Sequence, residues 1–130
     1  MELSKGLIKA DLIMAKQGLE KYKENTKIKN LKNMVAYHIQ QAVEKMIKIQ
    51  IYHSGKPYDN KSIYTHDINN LIVYSRLIGV KLVIPKVIED NCMTITDWEA
   101  GSRYDIKFSV RVDTLETYIG VCDEWMKQIK

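Results

Sequence analysis

The chain has 130 residues and a mass of 15.1 kDa, enough for one domain and too little for two ordinary ones, so residues 1–130 are expected to share a single core. Hydrophobic residues make up 45% and charged residues 28%, with 2 Pro and 6 Gly, which excludes collagen-like, low-complexity and disordered chains. Twenty basic against 16 acidic side chains leave a formal charge of +4, an excess too mild to point to nucleic acid by itself.

The charge is uneven along the chain. Residues 1–61 carry 12 lysines and 6 acids, whereas residues 62–130 carry 8 basic and 10 acidic residues. A basic half suits phosphate or an acidic protein partner; scattered lysines on solvated helix faces produce the same count. Cys92 and Cys122 are the only cysteines, far apart and outside any paired motif, so neither a disulfide framework nor a zinc site is indicated. Lys5, Lys9, Asp11 and Lys16 interrupt the first apolar segment and leave no run suited to a signal peptide or membrane span. A cytoplasmic protein that does not engage a membrane is the expectation.

Apolar residues recur every three or four positions, the helical period, with no sustained alternation of period two. The first predicted helix spans about residues 4–23 on the stripe Leu7 or Ile8, Leu12, Ala15, Leu19 and Tyr22, with Ser4 as its cap. A longer one covers about 29–52 and stops at His53-Ser54-Gly55-Lys56-Pro57, where glycine can close a helix and proline forbids continuation. After a polar loop through Tyr64, Thr65 is the expected cap of a third helix that ends at Gly79. Residues 80–102 read as an extended link and then a helix beginning at Pro85, in which Gly101 weakens the last turn. The last helix starts near Val112, with Leu115, Ile119 and Cys122 on one face. The expected architecture is all-α, an up-and-down four- to five-helix bundle.

Three constellations could carry function. His38, Gln41 and Lys45 share one face of the long helix, beside a row of Gln40, Glu44 and Lys48; such a polar seam builds a ligand or dimer site, or else forms a solvated outer face with an ordinary Glu44–Lys48 pair. Thr65-His66-Asp67 stands at a helix start, where capping explains it fully, although an imidazole there could also act as a general acid or base. Ser102-Arg103-Tyr104-Asp105, just after Asp97-Trp98-Glu99, offers a guanidinium for phosphate or a plain ion pair between helices. No glycine-rich phosphate loop, HExxH, paired CxxC or GxSxG is present, so no metal or cofactor is expected.

The order of ADLIMAK (Ala10 to Lys16), AYHIQQAVEKMIK (Ala36 to Lys48), YTHDINNL (Tyr64 to Leu71) and SRYD (Ser102 to Asp105) resembles the HEPN domain family across nearly the whole chain. The resemblance implies a small helical bundle, usually a homodimer, paired with a minimal nucleotidyltransferase partner in a toxin–antitoxin-type system, with a nucleotide or RNA as ligand. Many such proteins are metal-independent ribonucleases with an Arg followed, after four to six intervening residues, by a His, a pair suited to moving the 2′-hydroxyl proton and stabilising charge on phosphorus. Arg103 stands where that catalytic arginine is expected, but Phe108, Ser109 and Val110 occupy the positions for the histidine. His38 or His66 could restore the pair only by approaching Arg103 in space. The preferred reading is therefore a binding module, with a ribonuclease toxin as the alternative; His38, Gln41, Lys45, His66, Asp67, Arg103, Tyr104 and Asp105 are the expected functional surface. The wide apolar surface of the long helix, including Ile39, Val43, Ile47, Val35, Ala42 and Met46, is expected to hold a second copy.

Overall fold

A computed structural model describes residues 3–129. Within them the chain forms seven helices: α1 (Lys5–Glu24), α2 (Lys29–Tyr52), α3 (Asn60–Ile63), α4 (Ile68–Leu77), α5 (Lys86–Asp90), α6 (Cys92–Tyr104) and α7 (Val112–Gln128). The all-α bundle stands, but its helix count exceeds the four or five expected. The two additional helices, α3 and α5, have 4 and 5 residues. α3 lies in the expected polar loop, too short to repeat an apolar stripe, whereas α5 is the first part of the helix expected from Pro85, which breaks at Asn91 before α6.

The long helix is central. α2 packs lengthwise against α1 and also touches α4, α6 and α7, which explains why apolar residues surround so much of its circumference. Val35, Ile39, Ala42, Val43, Met46 and Ile47 are fully buried by the chain's own helices. The apolar surface assigned above to a second copy is therefore already covered within one protomer. Large side chains still exposed lie elsewhere, including Val73 and Leu77 one turn apart on α4.

Helix ends follow local chemistry with some substitutions of partner. Ser4 occupies the position before α1 without a side-chain capping bond. Asp67, not Thr65, caps α4 by accepting from the Asn70 amide at 3.0 Å. The Thr65 hydroxyl instead accepts from the Asp67 amide, and Thr96 of α6 takes the Ile68 amide at 3.0 Å. Thus α4 starts at a fixed place beside α6. At its other end Gly79 has φ +88°, the left-handed conformation that closes a helix without a Cβ clash. Pro85 lies one position before α5 rather than inside it.

The link at 80–85 is secured from two helices. Gln50 of α2 donates to the Val83 carbonyl at 2.9 Å and accepts from its amide at 2.8 Å, while the Trp125 indole N–H of α7 reaches the same carbonyl at 2.6 Å. Arg76 of α4 forks onto Glu89 of α5 at 2.6 and 2.9 Å, which holds the Glu89 carboxyl below its ordinary range. Cys122 is fully buried in α7, and desolvation pushes its thiol up to about 12, so it behaves as a small apolar side chain.

Gly101 has a specific packing role near the end of α6. A Cβ there would stand 2.8 Å from Cδ1 of Phe108, whose ring folds back from the following turn. Gly101→Ala is expected to lower stability by about 1 kcal/mol, because displacing the ring outweighs the gain in helix propensity. In a Phe108→Ala background the same substitution should be stabilising; thermal melts of the four proteins measure that reversal.

Candidate functional site

The residues of α2 divide into two polar clusters. On the α1 side, Asp11 accepts from His38 Nδ1 at 3.0 Å and from Lys45 Nζ at 2.5 Å. Asp11 is buried, on the same stripe as Ile8, Leu12, Ala15 and Leu19. A carboxylate at an inward position requires compensation, and the two basic groups of α2 supply it. His38 and Lys45 are thus committed to joining α1 to α2. No hydrogen bond or ion pair joins His38 to Arg103 among the described residues.

The second cluster centres on Glu44, whose side chain is only 6% exposed. Its carboxylate accepts from Gln40 Nε2 at 3.2 Å, Lys48 Nζ at 3.1 Å and His66 Nδ1 at 2.8 Å. Gln40 also reaches the His66 carbonyl at 3.3 Å, and Gln41 donates to Gln40 at 2.7 Å, linking the two rows of α2. The Glu44–Lys48 pair is therefore interior rather than a solvated outer face. Bonding to a carboxylate places the imidazole proton of His66 on Nδ1 and leaves Nε2 directed toward α6.

There Nε2 lies 4.0 Å from Oε1 of Glu99. The same Glu99 oxygen pairs with Nη2 of Arg103 one turn later, and the Arg103 Nε donates to the Glu99 carbonyl at 3.1 Å. The guanidinium also lies 5.3 Å from the Tyr37 ring centroid and 4.9 Å from that of Tyr104, within cation–π range of both. Spatial approach through Glu99, which sequence spacing could not reveal, brings His66 and Arg103 to one locus.

His66 and Glu99 open onto a cleft of about 600 Å³ between the start of α4, α6 and the turn after it. Asp67, Asp97 and Asp105 line the same cleft. Asp67 is engaged as the α4 cap, and Asp105 accepts from the Lys107 amide at 2.9 Å. Tyr104, against Arg103, is 75% exposed. The carboxylates give the cleft a negative lining, with the guanidinium held behind Glu99. No group of three or more His, Cys, Asp or Glu side chains among the described residues is arranged to hold a metal ion.

Of the expected surface residues, His66, Asp67 and Asp105 line this cleft, Arg103 is joined to it through Glu99 and Tyr104 flanks Arg103, whereas His38 and Lys45 belong to the Asp11 cluster and Gln41 lies between the two polar clusters. Sequence reasoning missed Asp11, Tyr37 and the roles of Gln40, Glu44 and Glu99. Asp11 had a visible signal, a charge within an apolar stripe; Glu99 had a weaker one, its spacing of four before Arg103.

The protein is thus an all-α bundle carrying a polar site where three helices meet, and the family model for the HEPN domain matches residues 10–129. The chain belongs to the HEPN domain family. No curated protein and no solved structure matches it. Among the described residues, no helix is long and apolar enough to cross a membrane.

Proposed function

We propose that this single-domain chain is a cytoplasmic, homodimeric HEPN module that binds a minimal nucleotidyltransferase partner, in a toxin–antitoxin-type pair, and presents Arg103 to a phosphate-bearing ligand. The observation that carries this reading is the engagement of Arg103 by Glu99 within its own helix. A guanidinium paired with a carboxylate must give up that partner before it can stabilise new negative charge, which disfavours a fast chemical step more than weak ligand binding. The residues 108–110 after it supply no proton-transfer group of the required kind. Both features favour binding over catalysis, and the class of partner is the one that resemblance to HEPN proteins implies. The excess of lysines in residues 1–61 suits an acidic face on that partner.

A homodimer in this reading uses surface outside the buried stripe of α2, with Val73 and Leu77 as apolar residues available for it. Co-expression with a minimal nucleotidyltransferase from the same genome, followed by gel filtration with light scattering, tests both associations. One co-eluting complex containing two copies of this chain is the expected result. Separate elution of the two proteins contradicts the partner assignment, and a monomer at micromolar concentration contradicts the dimer.

One observation favours a second reading, a metal-independent ribonuclease. Glu44 fixes the His66 ring through Nδ1 and leaves Nε2 facing the cleft, the arrangement a general base needs to take a proton from a ribose 2′-hydroxyl. In that reading Arg103 stabilises the phosphorane-like charge after leaving Glu99, and growth arrest on expression without the partner is the expected outcome.

A further inference from the structure

We propose that Glu99 is a built-in occupant of the Arg103–His66 site, its carboxylate standing where one phosphoryl group of a ligand binds. This deepens the function proposed above and rests on its reading of Arg103 as the phosphate-facing residue.

A single oxygen of Glu99 faces both groups, paired with Arg103 Nη2 and 4.0 Å from His66 Nε2. Carboxylate and phosphoryl oxygens satisfy a guanidinium through the same charge-assisted hydrogen bonds, so one can replace the other. The remaining contacts do not depend on that carboxylate. Arg103 Nε is held by the main-chain carbonyl of residue 99, and the guanidinium is flanked by the Tyr37 and Tyr104 rings. His66 is held separately by Glu44 at 2.8 Å. Rotation of the Glu99 side chain would therefore leave a positioned guanidinium and imidazole with nothing between them.

The occupant is also displaceable. Glu99 and Arg103 are one turn apart on α6, and pairs of this kind with a partly exposed partner are weak. The nearby Asp97 and Asp105 disfavour ligands with several charges, which points to one phosphoryl group rather than a polyphosphate. The intact protein should accordingly bind such a group weakly, and Glu99 sets how weakly.

Calorimetric titration of the full chain with inorganic phosphate and with AMP tests this. Glu99→Gln, which keeps the side chain's shape and removes its charge, should tighten both by about tenfold or more, as expected when a competing anion is lost. The gain should vanish when Arg103→Ala is added and should be absent in Asp97→Asn, which changes net charge equally. Glu99→Asp, one methylene shorter, should give an intermediate gain and serves if the glutamine variant folds poorly. Equal affinity in the wild type and Glu99→Gln overturns the occupant role while leaving a phosphate site at Arg103. A gain that survives Arg103→Ala, or is matched by Asp97→Asn, overturns it as a general charge effect. No binding by any variant at millimolar ligand overturns both the occupant and the phosphate-facing role, whereas the partner assignment is judged separately by co-elution.

Discussion

Trp125→Ala is expected to destabilise the protein by about 3–5 kcal/mol, the range for deleting a large aromatic side chain from a packed core. Trp125 is fully buried in α7, and its indole N–H reaches the Val83 carbonyl at 2.6 Å. That carbonyl belongs to the link also held by Gln50 of α2, so one side chain connects the last helix to the chain segment entering α5. A domain of this size has only about 5–15 kcal/mol of total stability, so the variant should be marginal at physiological temperature. Trp125→Phe retains most of the packing and loses one hydrogen bond, with an expected cost of about 0.5–1.5 kcal/mol beyond any change in volume; Val83 O keeps Gln50 as a donor. Urea unfolding of the two variants measures the difference.

Glu44→Ala is expected to cost about 2–4 kcal/mol, because it removes the shared acceptor of Gln40, Lys48 and His66 from the interior. Lys48, with its side chain 15% exposed, would then lack its anion. Adding Lys48→Met should recover part of that loss, since it removes the uncompensated charge and fills the space with an apolar chain. The double-mutant cycle separates the ion pair from the remaining hydrogen bonds. His66 should also lose its fixed orientation, which NMR of the ring nitrogens can follow through the proton on Nδ1.

The long elements were legible from periodicity because α1, α2 and α7 are long enough to repeat an apolar stripe several times. Their sequence limits agree with the structure to within a residue or two. Failure began where the determinants are short or distant. α3 holds about one turn, the helix expected from Pro85 breaks at Asn91 into α5 and α6, and Asp67 rather than Thr65 caps α4 while Thr96, 28 positions after Ile68, takes the Ile68 amide. Sequence alone placed the α2 rows correctly relative to one another, yet could not tell inside from outside on a helix surrounded by four others. It consequently left the Glu44–Lys48 pair open between interior and surface, and it assigned to a second copy an apolar face that the chain covers itself.

The site divides in the same way. Arg103 is recognisable within SRYD, but its state depends on three contacts made by Glu99, Tyr37 and Tyr104, of which only the first and last are local. His66 joins it from the start of another helix, oriented by a buried carboxylate on a third. A motif defined by spacing along the chain cannot record this meeting. Arg103 thus has His66 brought near it from the start of another helix, with the Glu99 carboxylate between them.

The most direct test of the binding-module account is incubation of the purified protein, without partner, with a mixed RNA substrate beside its Arg103→Ala and His66→Ala variants. The account predicts that the RNA stays intact in all three samples. Cleavage by the wild-type protein that disappears in either variant would contradict it and establish the ribonuclease reading.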